Sequence, residues 1–146
     1  MSDLKRLLRF LVFEGVVFVS VLLAFRVIEE KLIAGMIGGV LFVSLGMYVC
    51  WHCRKSDWLK SSPTFFAGLA HLFLTSLPMI VARLLNPGVD FKEVKILGLP
   101  GPMFHGFSST VFLILVAATA IDLFRVYRAS QRKPPVHERK LYSVRK

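Results

Sequence analysis

The stretch LIAGMIGGVLFVSLGMYVCW, residues 32–51, holds no Asp, Glu, Lys or Arg. A helix needs about 20 apolar residues to cross a hydrocarbon core about 30 Å thick, so this segment can span a bilayer by itself. Its apolar residues come as a block, with neither the alternation of a half-buried strand nor the single stripe of a soluble amphipathic helix.

Working outward, residues 65–82 form a second block interrupted only by His71 and Pro78, and residues 103–121 a third without Asp, Glu, Lys or Arg. A fourth, residues 10–25, is short and carries Glu14, but Leu7, Leu8, Val27 and Ile28 extend it to spanning length. Hydrophobic residues make up 55% of the chain and mean hydropathy is +0.61. That surplus over an ordinary soluble domain has to face lipid. The expectation is an all-α integral membrane four-helix bundle. Its helices run over about 7–28, 32–53, 63–85 and 103–127, within one domain 1–127 followed by a basic tail, 128–146. Lys5, Arg6 and Arg9 ahead of an apolar segment invite comparison with a signal peptide. The residues after that segment, Phe25-Arg26-Val27-Ile28-Glu29-Glu30, offer no small-x-small cleavage site, so it is read as a helix.

Charge orients the bundle. The formal net charge is +10. Lys5, Arg6 and Arg9 precede the first helix, Arg54, Lys55 and Lys60 follow the second, and eight cations follow Asp122. The remaining five, Arg26, Lys31, Arg83, Lys92 and Lys95, belong to the opposite side. The positive-inside rule then places both termini in the cytoplasm, with Trp51, Trp58 and Tyr127 near that boundary. A bacterial inner membrane is the expected location. The basic tail could meet anionic lipid, although orientation alone accounts for its charge, and nucleic acid is not expected as a partner. On the outer side, residues 86–102 form an ordered loop between helices 3 and 4. Alternation over residues 89–96 suits a short strand or an extended interfacial segment, and Gly98-Leu99-Pro100-Gly101-Pro102 a turn.

Small residues mark helix seams, because close backbone approach drives association where lipid removes the hydrophobic difference. Gly35 and Gly39 form a GxxxG pair, and Gly46 continues that face. Ionisable groups at membrane depth are costly and usually have a use. Glu14 has no polar neighbour three or four residues away on its own helix. His71 shares a face with Gly68, Thr75 and Pro78. Asp122 shares one with Ser108, Leu115 and Thr119 and has Arg125 three residues on, the spacing of a surface pair at a helix end. Glu14, His71 and Asp122 are thus candidates for a proton or ion site.

Cys50 and Cys53, with His52 between them, make a CxxC at the end of the second helix, a possible redox dithiol or half of a metal site. The chain contains no second CxxC and no C-x-x-C-H haem attachment sequence. His52 and His71 would sit at different depths for bis-histidine haem ligation. No cofactor is expected, and without G-x-S-x-G, H-E-x-x-H or a phosphate loop an enzyme is not indicated.

Four short helices with a single acid in the first resemble the small multidrug transporters in layout. That resemblance implies a proton-coupled, substrate-binding role for Glu14. The chain departs from the pattern in its strong charge bias and long outer loop. Three functions remain open. The first is an interaction or accessory subunit, a homo-oligomer or part of another membrane assembly, docking through the glycine-lined face and interfacial aromatics. The second is a small proton- or ion-coupled transporter using Glu14 with His71 as relay, and the third is redox or metal work at Cys50 and Cys53.

Overall fold

The computed structural model describes residues 3–131. About 81% of the chain is helical, which makes the fold all-α. The first span is α1 (Asp3–Val27) and the second α2 (Lys31–Cys53). The third, Pro63–Leu85, is composite: α3 (Pro63–Ala70), a π-helical turn (His71–Ser76) and α4 (Leu77–Leu85). The fourth is α5 (Gly101–Gln131). All four are long and apolar enough to cross a membrane. They pack as a ring in which α1 and the third span each touch α2 and α5.

Helix ends fall where local chemistry puts them. At α3, Ser62 accepts a hydrogen bond from the amide of Phe65 (3.3 Å), and Pro63, which lacks an N–H, occupies the first turn where none is needed. α1 starts near residue 3 rather than 7, because Asp3 is tied down: Ser56 Oγ donates to its Oδ2 (3.0 Å) and Arg6 Nη1 to its Oδ1 (3.4 Å). α5 runs on to Gln131, so Arg128 belongs to a helix. The rest of the basic tail lies outside the described residues.

The π turn is what sequence periodicity could not reveal. Pro78 offers no N–H to the carbonyl of Leu74, and its ring would crowd that carbonyl in a regular helix. The strain is taken up one turn earlier, where Leu77 N–H reaches back five residues to the carbonyl of Leu72.

The second helix meets its neighbours through glycine. A Cβ at Gly46 would lie 2.9 Å from Cβ of Leu72, and one at Gly39 3.5 Å from Ile80, both on the third span. Gly38 faces Val21 and Phe25 of α1 in the same way. These contacts hold the backbones close, as interhelical packing in lipid requires.

The connection between α4 and α5 folds onto the end of the bundle. Its alternating stretch yields only a two-residue strand, β1 (Lys95–Ile96), paired antiparallel with β2 (Leu99–Pro100). The tight turn between them puts Leu97 and Gly98 at φ 52° and 83°, the mirror-image geometry that suits a hairpin twist. Val94, Ile96 and Phe104 make a small buried cluster with Met79, Ala82 and Phe91. Gly101 opens α5 beneath this cap: its N–H donates to the carbonyl of Val94 (2.9 Å), and a Cβ there would collide with the carbonyl of Phe91. Arg83 lies 4.3 Å from the Phe91 ring and fills the space beside Gly35.

Candidate functional site

All three ionisable candidates meet one buried stripe of α5, formed by Phe112, Leu115, Thr119 and Asp122. The spacing of three, four and three residues keeps these side chains on one helical face.

Glu14 comes from α1 and is 1% exposed. Thr119 Oγ1 lies 2.8 Å from Glu14 Oε1 and 3.0 Å from the carbonyl oxygen of Leu115. Glu14 Oε2 has no hydrogen-bond partner, and no Lys or Arg pairs with this acid among the described residues. A hydroxyl has one proton, so it cannot donate to both neighbours at once. When Glu14 is a carboxylate, Thr119 donates to it. When Glu14 is protonated, its O–H can donate to Thr119, whose own proton then turns to the Leu115 carbonyl. The same groups give Glu14 Oε1 a partner in both states of the acid, while Oε2 has none.

His71 sits at the start of the π turn and is also 1% exposed. Thr75 Oγ1 is 3.3 Å from its Nδ1 and Ser76 Oγ is 3.2 Å from its Nε2. Both hydroxyls also lie within donating distance of its carbonyl oxygen, at 2.6 and 3.0 Å. Against a neutral ring one hydroxyl accepts the ring N–H while the other donates to the bare nitrogen. Against an imidazolium both accept and both donate to the carbonyl. The widened turn brings residues four and five positions on to the two ring nitrogens together. This cradle, like the Glu14 triad, has partners for either protonation state.

The imidazole is the polar member of an aromatic layer across the bundle. Phe112 stacks with Phe18 of α1 (centroids 5.8 Å, 11° between planes) and contacts Phe42 of α2 (5.4 Å) and His71 (5.7 Å). Thr119 is two turns from Phe112, so Glu14 lies on the side of this layer nearer Asp122, with Thr75 and Ser76 beyond it on the hairpin side.

Asp122 forms the expected pair with Arg125, but as a buried group and not at a helix-end surface. It is 0% exposed, and its principal partner is the third span: the amide and hydroxyl of Thr64 donate to Oδ2 at 3.0 and 2.7 Å. Arg125 Nη1 lies 3.7 Å from the other oxygen and is itself 59% exposed. The reason is the length of α5, which carries Asp122 well inside the helix and turns it onto the amides that open α3. There a carboxylate complements the helix dipole. A backbone N–H can only donate, so this contact asks Asp122 for an acceptor oxygen.

Cys50 and Cys53 are free and buried, Cys50 packing against Gly68 of the third span. His52 Nδ1 is 3.0 Å from the carbonyl of Tyr48 on its own helix, with its ring against Tyr48 and Phe10. A thiol exchange partner therefore meets packed helix rather than sulfur, and among the described residues no three His, Cys, Asp or Glu gather as a metal set. The glycine-lined face is likewise filled from within: Gly35 by Arg83, Gly39 by Ile80 and Gly46 by Leu72. A partner helix could use that face only by displacing the third span.

Sequence reasoning missed Thr119, Thr64 and Ser76 as partners. The helical spacing of Thr119 from Asp122 was a signal for the first, and nothing local signals the other two. Comparison with models of known protein families, with characterised proteins and with solved structures finds no match to this chain.

Proposed function

We propose that this protein is a small proton-coupled membrane transporter in which Glu14 carries the proton and His71 relays it. The arrangement of Glu14, Thr119 and the Leu115 carbonyl carries this reading, because it accommodates the acid with and without its proton and supplies no cation to fix one form. Acids at membrane depth are costly and often mark proton relays and ion pathways. Glu14 takes a proton from the side of Asp122, His71 offers the next acceptor within the aromatic layer, and Thr75 and Ser76 continue the hydroxyl path beyond it. The proposed setting is a bacterial inner membrane with both termini cytoplasmic, as the charge distribution favours.

The test is pH-driven flux in proteoliposomes. Glu14→Gln keeps the shape and the Thr119 contact but cannot cycle a proton, so flux is lost while thermal unfolding stays near that of the wild type. Wild-type flux from Glu14→Gln rules the proposal out. Orientation is read separately. Leu97→Cys, placed at the exposed hairpin turn in a chain whose native cysteines are serine, should react with an impermeant thiol reagent in intact cells.

The accessory-subunit reading keeps a separate basis in the apolar grooves that flank α1. It predicts a foreign subunit in native mass spectra of protein extracted from its own membrane. The redox reading predicts loss of function on Cys50→Ser or Cys53→Ser.

A further inference from the structure

A groove of about 400 Å³ runs along the outside of the bundle between α1 and α2, lined by Leu8, Arg9, Val12, Phe13, Val16 and Tyr48. Its polar groups are the guanidinium of Arg9 and the phenol of Tyr48, and neither has a hydrogen bond or ion pair among the described residues. The described acids at this end are otherwise engaged: Asp3 by Arg6 and Ser56, Asp57 by Lys60, and Asp122 by Thr64. Among the described residues the charge of Arg9 is therefore not met, and Lys5, one turn earlier on the same exposed face, adds to it.

The order of groups along the helix matters. Cations at residues 5 and 9 come first, and exposed Val12 and Val16 follow toward the bundle centre, about 5 and 10 Å from Arg9 at helical rise. That is the order of a lipid, charged head and then chain. A second copy of this protein fits less well, since its described residues bring no unengaged acid at this level and would set cation against cation. We propose that this groove binds one anionic phospholipid, its phosphate on Arg9 and one acyl chain along Leu8, Val12 and Val16. The site is built from described residues of α1 and α2 and shares none of them with the proton path.

Native mass spectrometry of the full-length protein, delipidated and titrated with phosphatidylglycerol or phosphatidylcholine of matched chains, tests it. The wild type should hold one phosphatidylglycerol at concentrations where phosphatidylcholine does not bind. Arg9→Gln should lower that occupancy roughly fivefold, the weight of one interfacial cation, and Arg9→Lys should keep most of it. Val12→Trp, which fills the groove, should lower occupancy by either lipid, whereas Lys140→Gln in the tail should leave it unchanged. Because Arg9 has no partner within the described chain, Arg9→Gln should melt with the wild type, which separates lost binding from lost fold. Equal binding of the two lipids by the wild type would overturn the site. So would undiminished phosphatidylglycerol in Arg9→Gln or in Val12→Trp, or a loss in Lys140→Gln as large as in Arg9→Gln.

Discussion

Glu14 and Asp122 meet the same stripe of α5 one helical turn apart, both out of reach of solvent, yet they are held in opposite ways. Asp122 receives an amide and a hydroxyl from Thr64 and has a cation nearby. Glu14 meets one hydroxyl whose proton can turn either way. A carboxylate on fixed donors at a helix start is a structural clasp, whereas one on a reversible donor with no cation suits a group that changes state. Burial alone does not separate these roles; the kind of donor does.

The sharpest way to break this comparison is to remove the clasp. Asp122→Ala leaves the Thr64 amide and hydroxyl buried without an acceptor. Stability should fall by about 3 kcal/mol, read by denaturant unfolding in detergent. A change near zero would mean that water or another side chain replaces the carboxylate. Gly46→Ala supplies a yardstick from pure packing. Its Cβ would crowd Leu72 Cβ and the helix backbone behind it, costing about 2 kcal/mol, while flux per folded molecule is retained. Gly35→Ala, facing only the flexible end of Arg83, should be close to neutral by comparison.

Thr64→Val and Thr119→Val sharpen the contrast further. The first removes one of two donors to Asp122 and should cost about 1 kcal/mol without moving the pH profile of transport. The second removes the reversible partner of Glu14 and should shift that profile. If both variants only lowered stability, the two carboxylates would have the same role. Glu14→Gln should also change stability little, staying within about 1 kcal/mol of wild type, since an amide keeps the Thr119 contact and carries no charge to desolvate. Its large effect should be confined to flux.

Much of the architecture was legible because long uncharged apolar runs have few ways to fold. An uncharged stretch such as residues 32–51 has one stable way to cross hydrocarbon, with every backbone group bonded within the segment. The stretch containing His71 and Pro78 was legible as a span but not as a composite one, because a π turn depends on where the strain of a proline is absorbed. Alternation over residues 89–96 overstated the strand. What limits β1 to two residues is the tight turn at Leu97 and Gly98, and the early return of the chain into α5.

For the site, sequence alone marked Glu14, His71 and Asp122 as polar groups where hydrophobic ones would cost less. Composition along one helix could not show that Asp122 would reach Thr64, that Thr119 would meet Glu14, or that Gly35, Gly39 and Gly46 would be used up inside the chain. Those outcomes depend on how far each helix is rotated about its axis and at what height it meets its neighbour. Hydropathy sets how long a span must be. Rotation and height are settled only when side chains from four helices interdigitate, and here that packing determined which buried acid is clamped and which has a reversible partner.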